Sequence, residues 1–203
     1  MKNPASKLEY QIIFDWIEQS SSVLDLGCGN GELMSLLIQE KQVRTQGIEI
    51  DEKAIYECVA GGLSVFQQDI DTGLAEYVDK SFDYVILSQT LQQVKRPDFV
   101  LKEALRVGKQ TIVSFPNFGF YPVRFQIFFQ GKVPVTPSLP HEWYETPNLH
   151  FLGISDFTEY CTQRKITIKD SIFIRRKKRV RFFPNFFAEI AIFLISNEQR
   201  TED

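Results

Sequence analysis

Three carboxylates and three glycines are the residues of this chain best spaced to do chemistry together. Asp25 precedes Gly27, Gly29 and Gly31, and Glu49 and Asp69 follow at intervals of about twenty positions. The string Val23-Leu24-Asp25-Leu26-Gly27-Cys28-Gly29-Asn30-Gly31-Glu32 reads as a short buried strand, a tight turn and the opening of a helix. Such a turn needs residues that lack a Cβ and tolerate positive φ. It presents backbone N–H groups and a helix N-terminus at the carboxyl end of the strand. A dinucleotide pyrophosphate asks for Gly-x-Gly-x-x-Gly. Here the position that would complete that pattern is Glu32, a poor neighbour for a phosphate. Carboxylates instead accept hydrogen bonds from hydroxyl and amino groups.

This acid, glycine turn and second acid resemble the nucleotide site of class I S-adenosylmethionine-dependent methyltransferases. Their cofactor carries a sulfonium, an ammonium and a ribose diol, and no phosphate. The resemblance implies that Asp25 orders the turn and faces the ammonium through water or backbone. It implies that Glu49, with Ile50 beside it, accepts both ribose hydroxyls, and that Asp69 accepts the adenine amino group with Ile70 against the ring. A hydrogen bond to a charged acceptor contributes about 1.5–3 kcal/mol before desolvation. Gly27, Cys28, Gly29 and Gly31 form the turn, and Ser88 completes the expected set for S-adenosylmethionine or S-adenosylhomocysteine. Each acid also has a plainer role open to it. Asp25 can satisfy turn N–H groups, Glu49 can be a surface residue at a strand end, and Asp69 can cap a helix. Three acids at successive strand ends make a stronger signal than any one alone.

Candidates for catalysis are sparse. The stretch Ser88-Gln89-Thr90-Leu91-Gln92-Gln93-Val94 after the fourth strand has no His, Asp, Glu, Lys or Cys to act as base or nucleophile. It also lacks the Asp/Asn-Pro-Pro-aromatic sequence of amino-methylases acting on nucleic-acid bases. His141 and His150 are the two histidines, and no third ligand stands at metal spacing. Either could act as a base if the segment that carries them folds over the cofactor; the commoner role is structural. No catalytic residue is assigned.

The elements that must position these groups follow from periodicity. Leu8, Ile12, Ile13, Trp16 and Ile17 recur at helical spacing and predict a helix over 7–19. Strands are expected at 45–50, 64–70, 82–88 and 111–115, with helices after Glu32, over 52–60 (capped by Asp51), near 72–78 and over 97–106. Gly61-Gly62 and Gly108 are expected to end helices. Continuous apolar strands alternating with helices mark a parallel sheet covered on both faces. A helix over 156–165, a strand over 166–174, a basic run over 175–181 and a strand over 189–196 follow. The expectation is an α/β, doubly wound Rossmann-like methyltransferase fold: a mostly parallel seven-stranded sheet with an antiparallel last strand. It is read as a single domain, 1–203.

A chain of 203 residues with 43 % hydrophobic residues suits such a domain. The net charge of −3 argues against a general nucleic-acid binder. The basic run reads as a solvated hairpin, with phosphates or an acidic protein surface as its alternative contacts. Three widely spaced cysteines form no metal or redox motif and fit a reducing cytoplasm. Met1-Lys2-Asn3-Pro4 shows no signal-peptide core, and no stretch approaches the roughly 20 apolar residues of a membrane span.

Between Phe118 and Gly153 the strand–helix rhythm breaks. This insert holds five prolines and many aromatics, including Phe128, Phe129, Trp143 and Tyr144. A connection this long is usually functional or disordered, and its aromatic content argues against disorder. A short helix is expected over 125–129. The strings Pro134-Val135-Thr136, Leu139-Pro140 and Trp143-Tyr144-Glu145-Thr146-Pro147-Asn148-Leu149-His150 are far less generic than the glycine turn. With the turn, Gly47-Ile48-Glu49-Ile50-Asp51, 82–92 and Ser114-Phe115-Pro116-Asn117-Phe118-Gly119, they resemble the methionine biosynthesis protein MetW family over nearly the whole chain. Phe120-Tyr121 departs from the His-aromatic pair expected of that family. The resemblance implies a methyltransferase-like protein that supports or activates homoserine O-acyltransferase. We expect that partner at the 118–152 insert, with a lid over the cofactor as the competing role for the same aromatics. An active small-molecule methyltransferase is the alternative function.

Overall fold

The computed structural model describes residues 4–197; the reading of Met1–Asn3 as free of a leader lies outside the described residues. The elements begin with α1 Pro4–Trp16, β1 Ser22–Leu26, α2 Glu32–Lys41, β2 Arg44–Glu49, α3 Glu52–Ala60 and β3 Val65–Gln67. They continue with β4 Phe82–Ser88, α4 Pro97–Val107, β5 Gly108–Pro116 and α5 Tyr121–Phe125, the last running into a π-helical turn, Gln126–Gln130. After α6 Ile154–Gln163 come β6 Thr167–Arg175, β7 Lys178–Arg179, α7 Pro184–Phe187 and β8 Ile190–Ser196.

One sheet runs in the order β3-β2-β1-β4-β5-β8-β6-β7. The pairs from β3 through β5 are parallel, and β8 lies antiparallel between β5 and β6. Alternate residues of each central strand feed opposite layers. Val23, Tyr84, Ile86 and Ile112 pack with Ile12, Ile13 and Ile17 of α1 and Leu33 and Leu37 of α2. Leu24, Leu26, Val85, Leu87 and Phe115 pack with Leu101 and Leu105 of α4 and Phe157 of α6. Such two-sided burial explains why the strands read as unbroken apolar runs.

The Rossmann-like methyltransferase fold expected from the sequence is present, with three corrections in detail. The sheet has eight strands rather than seven, because the basic run folds back as the two-residue β7, pairing Ile174 with Arg179 and Arg175 with Lys178. β3 spans three residues instead of the seven expected over 64–70; it pairs along Gly47 to Glu49 alone. No helix forms over 72–78. A single 3-10 turn, Ile70–Thr72, ends at Gly73 with φ 100°, and Arg106 then holds the carbonyls of Leu74 and Tyr77 at 2.8 Å each. Gly108 both ends α4 and opens β5. A Cβ there would stand 2.8 Å from Val85 Cγ2, so only glycine lets the helix end meet the sheet this closely.

Candidate functional site

The strand order reverses at β1, whose neighbours β2 and β4 leave it in opposite directions. Ligand sites of open α/β sheets form outside the carboxyl ends of the strands at such a point. A cavity of 470 Å³ opens there, within the range of small-molecule sites. Its walls include Gly27, Gly29, Ile48, Glu49 and Ile50 on one side and Ser88, Gln89, Thr90 and Gln93 on the other.

The glycine turn has the backbone its sequence demands. Gly27, Gly29 and Gly31 take φ of 75°, 54° and 74°. A Cβ on Gly27 would lie 2.8 Å from the Thr90 side chain, and one on Gly31 would lie 2.2 Å from Leu63 Cδ1. The N–H groups of Gly27 and Cys28 both donate to the Ile48 carbonyl, at 2.8 and 3.1 Å, which locks the turn to β2. Gly29 N–H donates to Glu49 Oε2 at 2.8 Å. Glu49 Oε1 accepts from the N–H groups of Ile50 and Asp51 at 2.7 and 3.0 Å. Three of about four acceptor positions on this carboxylate are therefore occupied. Glu49 is held rigidly on the cavity wall, and Oε2 is its freer oxygen.

Asp25 sits behind the turn, only 3 % exposed, and its Oδ1 has no hydrogen-bond partner. Burial pushes its carboxyl up to about 7, and the Glu49 charge adds to the effect. A carboxyl in this state is restored to its charged form by a nearby cation. Cys28 and Gly31 also lie behind the cavity: the Cys28 thiol packs against Gly47, and Gly31 faces Leu63 and Cys58. Burial pushes the Cys28 thiol far up, which disfavours the thiolate.

Asp69 departs from the strand-end position expected for it. β3 stops at Gln67, and the Asp69 side chain caps the 3-10 turn by accepting from Asp71 N–H at 2.9 Å. The plainer role anticipated for it is met, yet Asp69 and Ile70 both line the cavity. Of the ten candidate residues, Gly27, Gly29, Glu49, Ile50, Asp69, Ile70 and Ser88 converge on the cavity, and Asp25, Cys28 and Gly31 do not line it.

Residues at and near the cleft make contacts that the sequence reading did not assign. Asp71 accepts from Lys95 and Arg96 N–H at 2.9 and 2.8 Å, tying the β4–α4 loop across the opening. Thr90 Oγ1 donates to the Leu26 carbonyl at 3.0 Å. Most telling is Glu9 of α1, 1 % exposed. Its Oε1 accepts from Ser114 Oγ and from Ser88 Oγ and Gln89 Nε2 at 3.1 Å each. Burial raises its pKa, opposed by those three bonds. The available signal was its place on the apolar face of α1, one turn before Ile12 and Ile13.

No residue of 118–153 lines the cavity. His141 is exposed, and His150 donates its backbone N–H to the Gln92 carbonyl at 3.0 Å and lines a separate hollow with Leu91 and Phe157. Phe120, where a histidine was expected, is 2 % exposed and packs on Val123 and Leu139. Among the described residues no cluster of His, Cys, Asp and Glu is placed to hold a metal, and no helix is long and apolar enough to cross a membrane.

A doubly wound sheet with an antiparallel β8, and a glycine turn against an acid at the switch point, define the fold of S-adenosylmethionine-dependent methyltransferases. Solved structures agree. A possible histamine N-methyltransferase of Thermotoga maritima matches with TM-score 0.68 at 17 % identity, covering 96 % of this chain and 89 % of that one. A methyltransferase of Archaeoglobus fulgidus matches with TM-score 0.71 at 16 % identity over 94 % and 92 %. Within that class the family profile for methionine biosynthesis protein MetW matches residues 7–195, and the chain belongs to that family. A bifunctional methionine biosynthesis protein MetXA/MetW of Rhodopirellula baltica is 32 % identical over 95 % of this chain. The chain spans 33 % of the length of that relative.

Proposed function

We propose that this MetW-family chain binds S-adenosylmethionine or S-adenosylhomocysteine in the cleft and supports or activates homoserine O-acyltransferase. The observation that carries the nucleoside reading is the fixed carboxylate of Glu49, oriented by Gly29, Ile50 and Asp51 N–H groups on the cavity wall. An acceptor immobilised before the ligand arrives costs little further ordering. In this reading Glu49 takes ribose hydroxyl, Asp69 and Ile70 take the adenine, and the unpartnered Asp25 carboxyl favours the cationic amino-acid end.

An accessory role is favoured over methyl transfer by the cleft wall itself. From Ser88 to Lys95 it offers hydroxyls, amides, apolar groups and one ammonium, and the nearby Glu9 is sealed by its own hydrogen bonds. The partner reading is supported by the relative whose name joins MetXA to MetW. It is supported too by the insert, where Trp143 is 69 % exposed and Tyr144, Phe128 and Phe129 are exposed with it. Exposed aromatics off the cleft suit an interface better than a lid. Reconstitution tests this. The acyltransferase should co-elute with this chain and turn over faster in its presence, and Trp143→Ala should weaken the complex by roughly 2 kcal/mol while nucleoside binding holds. An acyltransferase that neither binds nor responds would refute the partner reading.

A further inference from the structure

The basic run lies outside everything assigned above. Arg175, Arg176, Lys177, Lys178, Arg179 and Arg181 put six cations in seven positions of a chain whose net charge is −3. Among the described residues Arg176, Lys177, Lys178 and Arg179 form no ion pair, and all four are exposed. Like charges this dense repel one another, so the hairpin needs a reason to hold its shape.

Arg175 supplies the anchor. Its Nη2 donates to the Tyr121 hydroxyl at 2.7 Å, and its guanidinium stands over the rings of Phe120 and Tyr121 at 5.6 and 5.0 Å. Tyr121 in turn stacks on Phe186, at 5.6 Å, and Arg124 reaches over the same ring. The hairpin and the insert are therefore one body. Between them runs a trough of 870 Å³, lined by Pro137, by Arg175 to Val180 and by the buried Glu189, whose Oε2 already accepts from Arg176 N–H at 3.0 Å.

Immediately beyond the hairpin the chain exposes two large apolar side chains, Phe182 at 81 % and Phe183 at 78 %. Phe183 holds φ 44°, a left-handed conformation that costs an aromatic residue roughly 1–2 kcal/mol. Its carbonyl accepts from the N–H groups of Phe186 and Phe187 at 2.9 and 3.0 Å, so the left-handed residue opens α7.

We propose that the trough between Pro137 and the 175–181 hairpin, with Phe182 and Phe183 following it in the chain, docks an acidic, apolar-tipped segment of the acyltransferase. This rests on the partner reading above and extends it from the insert to a composite face. The charges are complementary to carboxylates and give the encounter its speed and register. The aromatics supply the desolvated contact. A concave site receives a protruding peptide segment, which a bilayer surface cannot supply.

Surface-immobilised acyltransferase, with this chain and its Lys178→Glu/Arg179→Glu variant in solution, tests the proposal. The wild-type association rate should fall steeply as salt rises from about 0.05 to 0.5 M, as steering by exposed charge does. The variant should associate at least about tenfold more slowly at low salt and lose that dependence. Phe182→Ser should instead speed dissociation. Both variants should bind S-adenosylhomocysteine like the wild type, which shows that they are folded. Wild-type binding with no change in either variant would overturn the composite face and leave the insert as the interface. Variants that bind acyltransferase normally but lose binding to vesicles of phosphatidylserine and phosphatidylcholine would overturn it in favour of a membrane surface. Absence of wild-type binding would overturn the partner reading and this inference with it.

Discussion

Replacing Asp25 with Asn should make the protein more stable at pH 8, less stable at pH 3, and a poorer receptor for a cation. Asp25 is buried, its Oδ1 is unpartnered, and its carboxyl is pushed from 3.8 up to about 7. The folded protein therefore keeps this proton up to about pH 7, whereas the unfolded chain releases it near 3.8. Between those values the unfolded state binds fewer protons, so stability falls as pH rises. A gap of about 3 units at 1.36 kcal/mol each makes the penalty about 4 kcal/mol at pH 8. Asn removes that penalty but buries amide donors, which costs about 1–2 kcal/mol. The net expectation is a gain of about 2–3 kcal/mol at pH 8, raising Tm by about 4–12 °C for a chain of this size. At pH 3, where Asp25 is protonated in both states, the variant should be about 1–2 kcal/mol less stable. Urea denaturation at both pH values measures the two differences. The same linkage predicts that the wild type binds the ammonium-bearing S-adenosylhomocysteine more tightly as pH rises from 6 to 8, and that the variant shows a flatter profile. A stability difference that is the same at pH 3 and pH 8 would refute the reasoning, since it would show that Asp25 does not carry a displaced proton.

Glu9→Ala should destabilise by about 2–4 kcal/mol, because it leaves Ser88, Ser114 and Gln89 without their shared acceptor; Glu9→Gln, which keeps an acceptor there, should stay within about 1 kcal/mol in the same denaturation assay. Gly31→Ala should cost about 2 kcal/mol, from the left-handed backbone and the displacement of Leu63, and thermal melting reads it. Methyl transfer from labelled S-adenosylmethionine to small amine, thiol and carboxylate acceptors should stay at background. Rapid transfer that is lost on changing His141 or His150 would restore the enzyme reading.

Local features were legible in the sequence. The turn was readable because three positive-φ positions must be glycine, and Glu49 because its strand ends two residues before a helix cap. Asp69 was placed in the cavity by its spacing, and the cap role left open for it is the one it takes locally, on a 3-10 turn that begins because β3 ends early. Glu9 meets Ser88 and Ser114 from 79 and 105 positions away, and no local pattern records such a pairing. Its one trace is a carboxylate on an apolar helix face. Arg175 and Tyr121 are a similar case. The run of cations reads as a solvated hairpin until the fold brings it against the insert.

The central claim is that Glu49 holds a nucleoside by its ribose. Calorimetric titration of S-adenosylhomocysteine into the wild type and Glu49→Ala tests it most directly. One charge-assisted bond at Oε2 is at stake, so the account predicts a single site in the wild type and a loss of about 2 kcal/mol, near thirtyfold, in the variant, with NAD silent in both. No heat with the nucleoside, or equal affinities in the two proteins, would contradict it.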